Sequence, residues 1–277
     1  MRLGYNTNGL AHHDGFQAVE LLAKIGYESV AITLDQHVLN PFRENFSDEL
    51  ARMRELLERL NLRSVVETGA RFLLDPWVKH EPTLLTAEPE ARERRIDFLR
   101  RAIDAAKVLG SDCMSFWSGI LRDEIDEHTA MERLVAGLQP VIDYAAEQQV
   151  TLGFEPEPGM FIDTMARYDA LLERIDSPYF QLTLDLGHLH CLGEVPIADY
   201  IERYGHQLAN IHIEDMRSGV HEHLMFGEGE IDFPPVLAAL SRVGYAGGVH
   251  VELSRHSHEG PQAARRAYEF LKPLMPL

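Results

Sequence analysis

Cysteine is scarce: the chain of 277 residues holds two, Cys113 and Cys191. Two cysteines make neither a disulfide framework nor a zinc ribbon, so a reduced, cytoplasmic protein is the expectation. Long hydrophobic runs are missing as well. No apolar stretch approaches the roughly 20 residues that span a bilayer, which excludes a transmembrane helix. The opening MRLGYNTNG turns polar after three residues, which reads as no secretory signal. Positive charge is the third shortage: 26 Lys and Arg stand against 44 Asp and Glu, a formal net charge of −18. Affinity for a phosphate backbone comes from Lys and Arg neutralising phosphates, so nucleic acid is not the expected partner. A fourth absence is a GxGxxG loop. The first β-rich run leads into TNGLAHHDG, without the glycine fingerprint that opens a dinucleotide-binding sheet.

What is present is a rhythm. β-rich runs begin at Arg2 (RLGYNT), Glu28 (ESVAITL), Leu62 (LRSVVET), Asp112 (DCMSFW), Val150 (VTLGFE), Phe180 (FQLTLD), Leu208 (LANIHI) and Ala246 (AGGVHVEL). Amphipathic segments such as DGFQAVELLAKIG and SDELARMRELLERLN separate them. In the second, Leu50, Met53, Leu56, Leu57 and Leu60 share a face, and Ser47 is the expected N-cap. Strands alternating with helices imply parallel pairing through right-handed crossovers. Eight such units, about 35 residues apart, predict a closed (β/α)₈ TIM barrel spanning 1–277 as a single domain; barrels of this kind run to about 250 residues. No Pro/Gly/Ser-rich linker divides the chain. The longest irregular stretch, 69–88, follows the third strand and is expected to be a lid or one wall of a substrate site.

Active sites of such barrels form at the C-terminal ends of the strands. Strand five ends at Glu155 and strand six at Asp185, with His188 a turn further on; strand seven ends at His212 and strand eight at Glu252. Each alone has an ordinary reading: a glutamate paired with a cation, an Asx-turn or helix cap at Asp185, a satisfied core histidine at 212. Together, on adjacent strands at one depth and in apolar surroundings, they need a shared counter-charge. Three carboxylates and an imidazole suit one divalent ion, Mn²⁺, Mg²⁺, Co²⁺ or Zn²⁺. Softer candidates surround them. Lys79 and His80 read either as ordinary surface or as holders of a phosphate or carboxylate of the substrate, and Trp117 either as a rim-packing aromatic or as a surface on which a substrate ring stacks. His221 and His223, in HEHLMFGEGEID, are open to substrate contact, loop structure or a second metal ion. Glu157 shares the side of Glu155 and His250 points one layer deeper, as core. His12 and His13 read as a solvated loop.

The motifs GFEPEPG, LTLDLGH, IHIEDM, GEGEIDF and VHVEL, between about residues 150 and 254, resemble the xylose isomerase-like TIM barrels. The branch they resemble includes ketose 3-epimerases, hydroxypyruvate isomerase, inosose dehydratase and endonuclease IV-type nucleases. The resemblance implies that Glu155, Asp185, His212 and Glu252 are metal ligands, that His188 contacts substrate near the metal, and that Arg217 holds a substrate oxygen. It also implies an activity: isomerisation or epimerisation of a small sugar-like polyhydroxy carbonyl compound, with Glu155 and Glu252 trading a proton through an enediolate. The departures are specific. A further epimerase glutamate falls near Phe161, and the nuclease Asp-x-His is His221-Glu222-His223 here. The ends of strands two to four are Leu34, Thr68 and Trp117, with Glu67 the nearest ligand type, so a trinuclear zinc cluster is incomplete. A phosphoester hydrolase of the nuclease kind, a dehydratase or lyase on the same scaffold, and a metal-stabilised binding protein are the competing readings. A homo-oligomer is compatible with the sequence and not required by it.

Overall fold

The β-branched runs form the strands that their composition favours. In the computed structural model, which describes residues 1–275, they are β1 (Arg2–Asn6), β2 (Ser29–Thr33), β3 (Arg63–Glu67), β4 (Met114–Phe116), β5 (Leu152–Phe154), β6 (Phe180–Asp185) and β7 (Leu208–Ile213). A hairpin the periodicity does not announce comes next, β8 (Asp215–Arg217) and β9 (Val220–Leu224), and then β10 (Gly248–Val251). Every pairing in the barrel is parallel, and its order β1-β10-β7-β6-β5-β4-β3-β2 closes on itself. β8 and β9 pair antiparallel outside it. The expected (β/α)₈ barrel is what the chain forms.

Helices clothe the barrel: α1 (Gly15–Ile25), α2 (Phe46–Leu60), α3 (Pro89–Leu109), α4 (Glu127–Gln148), α5 (Met165–Leu172), α6 (Leu186–Cys191), α7 (Ile197–Tyr204), α8 (Phe233–Arg242) and α9 (Gly260–Leu271). On α2 the predicted stripe is right, with Leu50, Met53, Leu56 and Leu57 buried. Its N-cap is not Ser47, which lies inside the first turn. The helix begins one residue earlier, and Asn45 in the cap position spends its amide on Glu49 Oε1 at 2.9 Å, leaving no side-chain cap on the backbone. α1 is capped, because the Asp14 carboxylate accepts from the N–H groups of Phe16 and Gln17 at 3.0 and 3.2 Å. No helix among the described residues is long and apolar enough to cross a membrane.

The barrel interior is partly polar. His250 sits beside His212 in the β10–β7 register and beside Gly4 in the β1–β10 register. A side chain at Gly4 would overlap the His250 ring, so glycine there makes room for the histidine. The ring is fully buried: its Nδ1–H donates to Asn210 Oδ1 at 2.7 Å, and Ser29 Oγ donates to its Nε2 at 2.8 Å. Burial, and then the charge of His212, push the His250 pKa down to about 3, so the ring is neutral. The core reading of His250 holds.

Candidate metal centre

Four strand ends converge at the C-terminal mouth. Glu155 follows β5, tied by its N–H to Phe116 O at 2.8 Å, and Glu252 follows β10, tied to Ile213 O at 3.2 Å. Asp185 closes β6 and His212 lies in β7. His212 Nδ1 stands 3.0 Å from Glu155 Oε1, 3.0 Å from Glu252 Oε2 and 3.8 Å from Asp185 Oδ2. One ligand atom from each of the four residues lies within 4.8 Å of the others.

Asp185 divides its duties. Oδ1 caps α6, accepting from His188 N at 2.8 Å, which is the ordinary role weighed for it. Oδ2 is buried without a hydrogen-bond partner. An orphaned carboxylate oxygen facing two further carboxylates is the feature a divalent cation resolves, so the residues present fit one. The opposite side of His212 supports this. Its Nε2 meets Glu67 Oε1 at 2.9 Å, and Asn210 Nδ2 donates to the same oxygen at 3.1 Å. A proton held on Nε2 by Glu67 leaves the Nδ1 lone pair for an ion. Glu67 is thus drawn into the site through His212.

The charges are arranged unequally. Burial pushes Glu155 up to about 8, against the pull of His212. Burial opposes ionisation of Glu252 as well, yet His212, then His223 and His188, hold it below the usual carboxylate range. Burial works against His212 becoming charged, but Glu155, Glu67 and Glu252 raise its pKa well above the ordinary value. Glu157 is raised by burial first and then by Glu155. Glu214, immediately after β7, is fully buried with neither carboxylate oxygen bonded, and burial followed by Asp185 raises it too. Gly187 lets this carboxylate approach α6, because a Cβ there would overlap Glu214 Oε1.

Above the quartet opens a cavity of about 270 Å³, the scale of a small metabolite. The candidates Lys79, His80, Trp117, His221 and His223 all line it. The loop 69–88 forms one wall, with His80 Nδ1 donating to Gly69 O and its ring edge-on to Trp117 at 5.3 Å. Trp117 rests on the buried guanidinium of Arg95, 4.6 Å from its ring. The opposite wall is the β8–β9 hairpin. His223 Nδ1 donates to Glu252 O at 3.1 Å, and His221 Nε2 comes within 3.2 Å of His188 Nε2. His188 itself is buried behind this wall, its pKa pushed down to about 4 by burial. His188, His221 and His223 bring ring nitrogens within 4.8 Å of one another.

Arg217 is placed elsewhere. The hairpin turns it outward, where it is exposed and its guanidinium donates to Glu228 O at 3.0 Å, away from the cavity. The arginines that line the cavity are Arg71 and Arg255, neither singled out by spacing. Asn8 is a further residue the sequence left silent: it lies just past β1 and donates to Glu252 Oε1 at 2.8 Å. Phe161 is buried against Arg167, outside the cavity, and the carboxylate that lines it nearby is Glu157. His12 does not line the cavity, and His13 borders a separate hollow of about 20 Å³.

Known proteins match the chain over nearly its whole length. An L-ribulose-5-phosphate 3-epimerase of Escherichia coli is 26% identical over 265 residues, covering 94% of this chain and 89% of that protein. The solved structure of a D-allulose 3-epimerase from Methylomonas sp. superposes with a TM-score of 0.79 at 21% identity, covering 99% of this chain and 98% of that one. A 3-keto-D-glucoside 4-epimerase from Escherichia coli does so with a TM-score of 0.79 at 15% identity, with 99% of both chains covered. At such identities the two structures speak to the fold. The family described as "Xylose isomerase-like TIM barrel" matches residues 19–274, and the chain belongs to that family.

Proposed function

We propose that the protein is a divalent-metal-dependent epimerase or isomerase of a small sugar or sugar-like polyhydroxy carbonyl compound. The observation that carries this reading is the pairing of Glu155 and Glu252 about His212 Nδ1, each at 3.0 Å, beneath a metabolite-sized cavity. Glu155, Asp185, His212 and Glu252 would hold the ion. When bound, it supplies Lewis-acid stabilisation of the negative charge that develops on the substrate's oxygens. The protein's own part is to move a proton. Removing hydrogen from a carbon beside a carbonyl leaves an enediolate, and returning it to the other face inverts that carbon. Two carboxylates with separated pKa values can serve as base and acid. Glu155 and Glu252, on either side of His212 Nδ1, are the two carboxylates placed to remove and return that proton. Asn8 orients Glu252 through its 2.8 Å hydrogen bond. Trp117, His221 and His223 line the cavity and are assigned to substrate, while His188, expected to touch substrate, lies behind them against His221.

The names of the relatives support sugar epimerisation, and the family supports the scaffold. A dehydratase or lyase would begin with the same proton removal. The cluster of His188, His221 and His223 favours a second reading, a phosphoester hydrolase using further metal ions. Against it, β2 and β4 lead to Leu34 and Trp117, which are not ligands, and Glu67 is taken by His212 and Asn210. The experiment is proton exchange in deuterium oxide with a panel of ketoses and ketose phosphates, read by NMR. Deuterium entering the carbon beside the carbonyl is expected; no exchange across the panel, with three zinc ions per chain, would establish the hydrolase.

A further inference from the structure

Three constraints converge on one side chain of the cavity wall, His80. Its backbone N–H donates to Arg71 O at 2.6 Å and its Nδ1–H to Gly69 O, so main chain and ring both tie the loop back on itself. Its φ is +70°, a left-handed conformation that is uncommon outside glycine and persists where the surroundings over-determine it. The ring stands edge-on to Trp117, which in turn rests on Arg95. Arg95 is fully buried; its Nη2 donates to Thr68 O at 3.2 Å and its Nη1 has no hydrogen-bond partner. A buried cation thus stands behind the wall, and the His80 ring is fixed in front of it.

The bond to Gly69 O decides the tautomer. A carbonyl has no proton to give, so Nδ1 carries the hydrogen and Nε2 the lone pair in the neutral ring. Protonating Nε2 as well is opposed: burial first and then Lys79, with Arg95 and Arg71 adding to it against the bond to Gly69, push the pKa down to about 4. His80 lines the cavity that contains Glu155, His212 and Glu252, and no residue among those described bonds its Nε2. A carboxylate or a phosphate dianion brings no proton to a lone pair. An ammonium group brings one, but is repelled by the cations that keep the ring neutral. A hydroxyl is neutral and donates. We propose that His80 is a specificity-determining residue that accepts a hydrogen bond from a substrate hydroxyl on Nε2. This rests on the reading of the cavity as the site of a polyhydroxy compound, and it takes the place of the anion contact considered for His80 from sequence.

D-allulose, a neutral ketose, serves as the probe on the protein as isolated. In ¹⁵N NMR of the histidine rings at pH 7, His80 should be neutral with its proton on Nδ1. Added D-allulose should move the Nε2 resonance while that proton stays in place. A ring protonated on Nε2, or an Nε2 resonance indifferent to D-allulose, overturns the inference. Two substitutions separate the hydroxyl contact from the tie within the loop, with circular dichroism confirming that both variants fold. His80→Asn suits the left-handed backbone and keeps an N–H near the Nδ1 position, but removes the acceptor. It should weaken D-allulose binding about three- to tenfold by calorimetry, the loss of one neutral hydrogen bond. His80→Gln carries an amide oxygen out toward the Nε2 position and should bind within about twofold of wild type. The reverse ranking would make His80 a tie for the loop and nothing more. The two readings fail separately. An Nε2 that responds to D-allulose, with no ketose of the panel exchanging its proton, leaves the hydroxyl contact standing and removes the epimerase; exchange with an indifferent Nε2 does the reverse.

Discussion

At the scale of single residues, the proposed chemistry rests on two glutamates, each following a barrel strand. Glu155→Gln and Glu252→Gln keep the shape and hydrogen bonding of the side chain but remove the proton carrier. Both variants should fold with unchanged far-UV circular dichroism and lose activity by about 10²–10⁴-fold, the usual weight of positioned acid–base catalysis. Activity within a few-fold of wild type would remove them from the chemistry. Glu67 acts through another residue: it holds the His212 proton on Nε2, 2.9 Å away. Glu67→Gln should weaken Mn²⁺ binding by about 10–100-fold in a direct titration, as loss of an outer-shell partner does elsewhere, and an unchanged affinity would refute that role. His250 gives a pH signature. Its folded pKa, near 3, lies below the roughly 6.5 of an unfolded histidine, so as pH falls from 6.5 toward 3 only the unfolded chain takes the proton. The stability it contributes is full above pH 6.5 and is lost through that window. Ring ¹⁵N NMR should find His250 neutral and protonated on Nδ1 at pH 5, and a ring titrating near 6.5 would contradict the structure. The quartet was legible because each member ends a β-rich run in apolar surroundings. Glu67 ends one too, but its role depends on the His212 ring that β7 brings across the barrel from β3, a pairing no local spacing encodes. Arg71 lies in a loop and Asn8 in the short 3₁₀ helix after β1, and only the closed barrel reveals their reach.

At the scale of elements, the β8–β9 hairpin decides which side chains face substrate. Its strands are three and five residues long and mostly polar, so neither carries a periodicity to read. Arg217, which the resemblance placed on substrate, therefore stands outside, while His221 and His223 were singled out by their HxH spacing. One side chain ties the hairpin to the loop that leads into α8. The Asp215 carboxylate accepts from the N–H groups of Gly227, Gly229 and Ile231 at 2.8–3.1 Å. Asp215→Ala strands these donors and should cost about 1–3 kcal/mol of stability, more if all three stay buried. A denaturant midpoint unchanged from wild type would show the loop indifferent to its anchor. The same variant should raise KM more than it lowers kcat, since it loosens a wall of the cavity and leaves the quartet on its strands. Helix stripes were read correctly because burial enforces their spacing. The Ser47 cap was not, because Asn45 spends its side chain on Glu49 and the helix starts at Phe46 without a cap bond.

For the whole molecule, closure of eight parallel strands turns residues almost a hundred positions apart into one site. The strand–helix alternation was enough to foresee the barrel, since parallel neighbours joined by helices leave few topologies. Closure also gathers more buried carboxylates than the nearby histidines pair with, and Asp185 Oδ2 and both oxygens of Glu214 have no hydrogen-bond partner. A folded protein with this arrangement gains stability from any cation that binds it and not the unfolded chain. The most direct test is a calorimetric titration of Mn²⁺ into chelator-treated wild type and Asp185→Ala, with melting temperature followed alongside. The wild type should bind one ion per chain and melt about 5–10 °C higher at a hundredfold excess over Kd, where linkage contributes about 2.7 kcal/mol. Asp185→Ala should lose both the binding and the shift. Wild type that takes up no ion, or an Asp185→Ala variant that binds and stabilises as wild type does, would contradict the assignment of Glu155, Asp185, His212 and Glu252 as a metal centre.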